Sequence, residues 1–319
     1  MKTQPGDIVI ETEQLSKDYL IGFLRKKAVR ALDDLTIQVF RGEIFGFLGP
    51  NGAGKTTTLK LLMSLIYPTS GTARILGKPI DDVETRRQIG YLPENPYFYD
   101  YLSGRELLTY TASLFGYNGG LGGKRADEML SIVGLDNDAA GRQLRKYSKG
   151  MLQRIGIAQA LINDPEVAFF DEPMSGLDPI GRREVRDILL SLRQRGKTIF
   201  FSSHILSDIE ALCDRAAIIE RGRLVKCGTI EELRGGQHST IEVIAIGLDK
   251  AEVDILIADK PSIKSVNATA CGVEFVLDDE SKVEDALAVI RQCGGRLVSV
   301  NANRTSLEDA FFNTGQGES

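Results

Sequence analysis

The chain has 319 residues, 42% hydrophobic and 26% charged, with a net charge of −5. Those proportions suit a folded globular protein and exclude the polar make-up of a disordered one, while the acidic balance argues against nucleic acid as a partner, because phosphate-backbone binding draws on a basic field. No apolar stretch approaches the about 18–20 residues of a spanning helix, the opening MKTQPGDIVIETEQ lacks the basic and apolar parts of a secretion signal, and the length leaves room for two domains, so a cytosolic two-domain chain is expected.

The first chemistry-bearing run is IFGFLGPNGAGKTTTLKLLMSLIYP. It reads as a buried strand, a glycine-rich turn and a helix whose apolar residues recur at helical spacing up to Pro68. In the turn, Gly49, Pro50, Asn51, Gly52, Ala53, Gly54, Lys55 and Thr56 fit the GxxxxGK[ST] phosphate loop, and Thr57 follows it as a further candidate nucleotide contact. Gly49, Gly52 and Gly54 free the backbone N–H groups to curl around a phosphate at the positive end of the helix. Lys55 neutralises the β and γ phosphates and the Thr56 hydroxyl is placed for Mg²⁺. The loop alone does not separate GTPases, small-molecule kinases and ATPases.

Next, YSKGMLQRIGIAQALINDP puts Ser148 and Gly150 at the start of a helix with a long apolar face. EVAFFDEPMSGLD then reads as a short buried parallel strand that delivers two carboxylates to its carboxyl end. Asp171 can hold Mg²⁺ through water, and Glu172 is suited to polarise the water that attacks a γ phosphate. A strand end capped by a solvated acidic pair is the bland alternative. The four cysteines, Cys213, Cys227, Cys271 and Cys293, lie far apart without a CxxC pair, so buried free thiols are expected instead of a zinc site or disulfide framework.

Near Thr229, GTIEEL carries a Thr-x-x-Glu capping box with Glu232 that starts a helix closing the first domain, and RGGQHS reads as a linker. Beyond it TIEVIAI and GVEFVLD have strand character, while Val283, Ala286, Leu287 and Ile290 recur at helical spacing. The expected order is strand, helix, strand, strand, helix, strand, a split βαβ arrangement, with a last short helix in SLEDAFFN.

From YSKGM onward the chain resembles the ABC transporter ATPase family. YSKGM stands at that family's LSGGQ-like signature, SGLD at residues 175–178 at its D-loop, His204 of KTIFFSSH at its switch histidine, and Tyr19 of LSKDYL at its adenine-stacking aromatic. The resemblance covers roughly residues 7–235 and implies an α/β P-loop NTPase core with a helical subdomain inserted at about 96–161. A small C-terminal α+β domain at 240–312, with a tail similar to those of exporter-type members, completes the expected architecture, as a dimer-supporting or regulatory accessory. The resemblance further implies ATP and Mg²⁺ as cofactors and a separate transmembrane permease as partner. It implies a second nucleotide-binding subunit arranged head to tail, so that Ser148 and Gly150 serve the partner's nucleotide, with Lys149 and Asp178 as further nucleotide-binding residues. Glu172 and His204 are the implied catalytic pair, with Tyr19 against the adenine and export as the direction.

Departures from the family pattern are informative. Glu94 of YLPEN occupies the glutamine position of the Q-loop, where a carboxylate can reach Mg²⁺ or water but cannot donate as an amide does. Lys149 and Met151 replace the glycine and glutamine of the commoner signature. Pro96, Tyr97, Phe98, Tyr99 and Tyr101 follow Glu94, and two readings stay open for them: a socket for a cytoplasmic helix of the permease, or filling between core and insertion. Arg25, Lys26 and Lys27 read as a solvated loop. Two rivals remain: a soluble ABC ATPase acting on nucleic acid or ribosomes, which lacks the expected coiled coil, tandem cassette or basic patch, and a small-molecule kinase, which leaves YSKGM, SGLD and His204 unexplained.

Overall fold

The computed structural model describes residues 7–22, 27–234, 239–257, 263–269 and 272–304. Arg25, Lys26, Cys271, most of the RGGQHS segment and the SLEDAFFN helix lie outside them. The chain divides into two compact units, residues 1–230 and 231–319.

In the first unit, β1 (Ile8–Ile21) and β2 (Lys27–Phe40) form a long antiparallel pair, β3 (Ile44–Leu48) leads into α1 (Lys55–Leu62), and β4 (Ser70–Ile75) and β5 (Lys78–Pro79) return to β1. After the short α2 (Val83–Arg86) comes β6 (Ile89–Leu92), then four helices in succession, α3 (Gly104–Leu114), α4 (Gly120–Ile132), α5 (Asn137–Gly141) and α6 (Lys149–Ala160). The chain then re-enters the sheet as β7 (Val167–Phe170), crosses by α7 (Pro179–Gln194) to β8 (Thr198–Ser203) and by α8 (Leu206–Leu212) to β9 (Arg215–Glu220), and ends with β10 (Arg223–Thr229); the short α9 (Ile230–Leu233), expected to close this unit, begins at its last residue and runs into the second.

One sheet has the order β2-β1-β4-β5 and is antiparallel; the other runs β10-β9-β3-β8-β7-β6 and is parallel except for β10. β3, β7 and β8 are buried along their whole lengths, which explains their unbroken apolar runs: a parallel strand covered on both faces has no polar side to show. Phe200 is the hub, with Phe45, Phe47 and Phe169 rings at 5.5, 5.4 and 5.7 Å. Leu59, Leu61 and Leu62 of α1 share one core with Ile10, Leu35 and Val39 of the antiparallel sheet and with Phe47 and Ile219 of the parallel one. Helix α1 stops at Leu62, well before Pro68, because Ser64 turns left-handed at φ 52° and Leu65 N–H closes back on the Lys60 carbonyl at 2.9 Å. The chain has already turned before proline can act.

Strong local signals start the inserted helices. Ser103 and Glu106 form a reciprocal capping box at α3, Asp136 caps α5 through Ala139 N–H, and Ser148 caps α6 through Met151 N–H. The insertion is clasped to the sheet at the end of α6. Arg125 donates to the Leu161 and Ile162 carbonyls at 3.0 and 2.8 Å, Asn163 to those of Arg87 and Ile89 at 2.8 and 3.0 Å, and Gly90 lets β6 pass directly beneath Ala160. The aromatic run does not fill a core: Tyr97 is 92% exposed, Tyr99 and Tyr101 are exposed, and Phe98 alone of the rings reaches inward, towards Gly156. The expectation of buried thiols is also corrected. Cys213, Cys227 and Cys293 are half-buried, although burial raises the Cys213 thiol well above its ordinary value, with the Asp214 charge adding to the effect.

The second unit has β11 (Ser239–Ile246), α10 (Lys250–Ile257), β12 (Ile263–Thr269), β13 (Gly272–Leu277), α11 (Val283–Gln292) and β14 (Arg296–Arg304), in the sheet order β12-β13-β11-β14. All its pairings are antiparallel. Val243, Phe275 and Leu277 of the sheet form its core with Val253 of α10 and Val289 of α11. Among the described residues no helix is long and apolar enough to cross a membrane.

Gly90→Ala tests the clasp. A Cβ there would lie 2.0 Å from the Ala160 carbonyl oxygen, so the end of α6 must move. Overpacking of this kind costs about 1–3 kcal/mol. The urea midpoint should fall accordingly with the slope of the transition unchanged.

Candidate functional site

The strand order brings the site together. β8 lies between β3 and β7, so the carboxyl ends of all three open on one edge, Leu48 paired with Ser203 and Phe170 with Phe201. This is where parallel α/β sheets bind ligands. A cleft of about 330 Å³ opens there, lined by Asn51, Gly52, Gly54, Lys55, Thr56, Thr57, Glu94, Glu172 and His204, all singled out from the sequence, by Ser175 of the SGLD match, and by Ala31, which was not.

Gly54 ends the loop at φ 108°, a conformation that favours glycine, and a Cβ on it would meet the Ala31 carbonyl at 2.5 Å. No side chain caps α1, so its first N–H groups face the cleft without side-chain competition. Lys55 curls back over the loop. Its Nζ donates to the Gly49 carbonyl at 2.7 Å and the Pro50 carbonyl at 3.2 Å, and stands 3.2 Å from Glu172 Oε1. The lysine and glutamate side chains are only 6% and 8% exposed. Glu172 Oε1 has no geometrically proper hydrogen bond, so this contact is charge pairing without a directed bond. The other carboxylate oxygen meets His204 Nδ1 at 2.8 Å.

Asp171, at 1% exposure, accepts from Ser202 Oγ at 2.6 Å through Oδ1, while Oδ2 is buried with no hydrogen-bond partner among the described residues. Its charge, after burial itself, raises the neighbouring Tyr91 phenol to about 12 and keeps it neutral. The Thr56 hydroxyl and Glu94 carboxylate on the cleft and the orphaned Asp171 oxygen behind it are oxygen donors of the kind a hard cation takes, although among the described residues no cluster of three or more His, Cys, Asp or Glu side chains is assembled. Ser202 was missed in the sequence, where the signal was a serine in the otherwise apolar TIFF run ahead of His204.

Several expected residues do not line this cleft. Tyr19 is half-buried in β1, paired with Val29, with the Lys17 ammonium 5.5 Å from its ring centre. Ser148, Lys149 and Gly150 stand at the amino end of α6, with Ser148 Oγ accepting from Met151 N–H at 3.3 Å. Lys149 folds against the SGLD loop of its own chain: a Cβ on Gly176, itself at φ 64°, would be 2.1 Å from Lys149 Nζ. Asp178 caps α7 by accepting from Gly181 N–H at 2.9 Å. Gly49, Pro50, Ala53 and Asp171 are likewise absent from the lining, Pro50 as an exposed residue and the other three as buried ones.

The fold and cleft define an α/β phosphate-loop ATPase with an all-helical insertion. The ABC transporter family model matches residues 32–175. An uncharacterised ABC transporter ATP-binding protein of Nostoc sp. is 46% identical over 98% of this chain and 91% of its own length. The fluoroquinolones export ATP-binding protein of Mycobacterium tuberculosis is 37% identical over 83% of this chain and 89% of its own. Among solved structures, an ATP-binding cassette captured as a dimer in a post-hydrolysis state with ADP and Pi superposes with a TM-score of 0.63 at 25% identity, covering 69% of this chain and 98% of that one. The chain belongs to the family of ABC transporter ATP-binding proteins. It is the ATP-binding, ATP-hydrolysing subunit of a transporter.

Proposed function

We propose that this chain drives export through a separate membrane-spanning permease, as one of two nucleotide-binding subunits that close head to tail on ATP at the cytoplasmic face of the membrane. The observation that carries this reading is a division of parts. The cleft holds the phosphate loop and Glu172, whereas Ser148 and Gly150 stand outside its lining on the amino end of α6, with the space around Gly150 open. A second copy that presents its own Ser148, Lys149, Gly150 and Asp178 would complete each site. The export direction rests on likeness to the fluoroquinolone-export relative.

Within a closed site, Lys55 and the backbone N–H groups of residues 49–57 hold the ATP phosphates, and Tyr19 faces the adenine. Thr56, Asp171 and Glu94 would hold Mg²⁺, which when bound neutralises charge on the phosphate oxygens. Glu172 takes a proton from water as the new oxygen–phosphorus bond forms and the bond to the bridging oxygen of ADP breaks. His204, already on Glu172 Oε2, keeps that carboxylate aimed.

The exposed rings after Glu94 support a permease contact. Tyr97, Tyr99, Tyr101 and Tyr110 are all exposed, and Tyr99 lies 6.0 and 6.5 Å from the Tyr101 and Tyr110 rings, a joined aromatic surface suited to the apolar side of a short cytoplasmic helix. We assign residues 7–235, with the helical subdomain at 96–161, to the nucleotide-binding domain and residues 240–312 to an accessory domain that supports or regulates the dimer. Its self-contained core supports that assignment.

Glu172→Gln, which slows hydrolysis while leaving the loop intact, should accumulate a species of twice the monomer mass with ATP and Mg²⁺, read by light scattering alone and with the permease. ATP binding without any paired species in either setting would remove the proposal. Joint Tyr97→Ala and Tyr99→Ala should leave basal hydrolysis intact and lower permease-stimulated hydrolysis by about tenfold or more, as expected for loss of interface anchors. Truncation at Gly235 should weaken pairing or alter the ATPase rate; unchanged pairing, hydrolysis and transport would deny the second unit its assigned role.

A further inference from the structure

We propose that Ser202 is a positioning residue for hydrolysis, using its one hydroxyl to orient both acids at the end of β7. This rests on the roles proposed above for Asp171 and Glu172.

Ser202 is fully buried in a strand whose preceding positions are Ile199, Phe200 and Phe201. A hydroxyl in such surroundings must find partners. It finds two, and both belong to the acidic pair. Its proton goes to Asp171 Oδ1 at 2.6 Å, and its oxygen accepts the Glu172 backbone N–H at 2.9 Å. A serine kept only to complete the sheet would have no reason to spend donor and acceptor on adjacent acids of another strand.

Each bond does something specific. The first makes the two Asp171 oxygens unequal: Oδ1 is held by a donor, and Oδ2 remains buried and unpartnered among the described residues. Only Oδ2 can then turn to a cation or its bound water, and the carboxylate cannot rotate without breaking a short bond. The second holds Glu172 where its backbone is left-handed, φ 51°, a region a non-glycine residue keeps only when its surroundings enforce it. Two residues further along the same chain, His204 Nδ1 meets Glu172 Oε2 at 2.8 Å. One strand end therefore fixes Glu172 at both its backbone and its carboxylate. The same end is registered to the phosphate loop, because Ser202 pairs with Phe47 in β3 and the Ser203 carbonyl accepts from Gly49 N–H at 3.2 Å.

The test uses the full-length protein with Ser202→Ala and Ser202→Cys, the second keeping side-chain bulk while exchanging a strong donor for a weak one. Three quantities are measured: ATP affinity in EDTA, Mn²⁺ affinity of the ATP-bound protein by electron paramagnetic resonance, and kcat with KM. Loss of a group that orients a metal ligand typically lowers metal affinity or activity by about 10–100-fold. Both folded variants should show a fall of that order in Mn²⁺ affinity and kcat with metal-free ATP affinity unchanged; should one fail to fold, the other carries the same expectation. Wild-type Mn²⁺ affinity and kcat in a folded variant would overturn the proposal. So would a parallel loss of metal-free ATP binding, which would mark general loosening of the cleft. Asp171→Asn is measured beside them. If it leaves Mn²⁺ affinity intact, the assigned role of Asp171 is what has failed, and that of Ser202 falls with it.

Discussion

Lys55 and Glu172 face each other across 3.2 Å in a place where neither is well hydrated, and the functional edge of the sheet is organised around that fact. A charge taken out of water needs compensation close by, and removing one partner of such a pair leaves the other exposed to the full desolvation penalty, about 3–5 kcal/mol in typical cases. Here the compensation spans three strands. The lysine follows β3, the glutamate follows β7, and His204 with Ser202 comes from β8 between them. A phosphate that draws the Lys55 charge towards itself necessarily loosens its hold on Glu172. On the roles proposed for Lys55 and Glu172, ligand binding and readiness of the base are linked through this ion pair.

The contiguous parts of this arrangement were legible in the sequence. The phosphate loop and the acidic strand each keep their chemistry within about a dozen residues, so spacing brought them to notice and resemblance to the family narrowed their reading. The alternating and apolar runs of the second unit similarly gave its strands and helices, which the structure lays out as β11, α10, β12, β13, α11 and β14. What spacing could not convey was contact between distant segments. Ser202 looks like a strand-end residue until β8 is seen lying beside β7, and nothing in the spacing places Lys149 beside Gly176.

One misreading and one choice left open have local causes. The apolar pattern LKLLMSLIY continues to Pro68, yet the helix ends at Leu62, because a left-handed turn at Ser64 is invisible to periodicity. The tyrosines after Glu94 are hydrophobic by composition and exposed in fact, as an amphipathic ring with a hydroxyl can be. In both cases the residue types allowed two outcomes and the surrounding backbone chose between them.

The insertion departs from β6 and returns through β7, and these strands are neighbours at one margin of the parallel sheet. Its two attachment points therefore lie side by side instead of straddling the sheet. A tilt of the four helices about the line joining them stretches no interstrand ladder, and it is resisted by the Arg125 and Asn163 bonds, the contact at Gly90, the packing of α6 on Leu92 and the Arg154–Glu184 ion pair to α7. A rigid catalytic platform and a movable arm can thus coexist in one continuous chain, pivoting where the platform has least to lose.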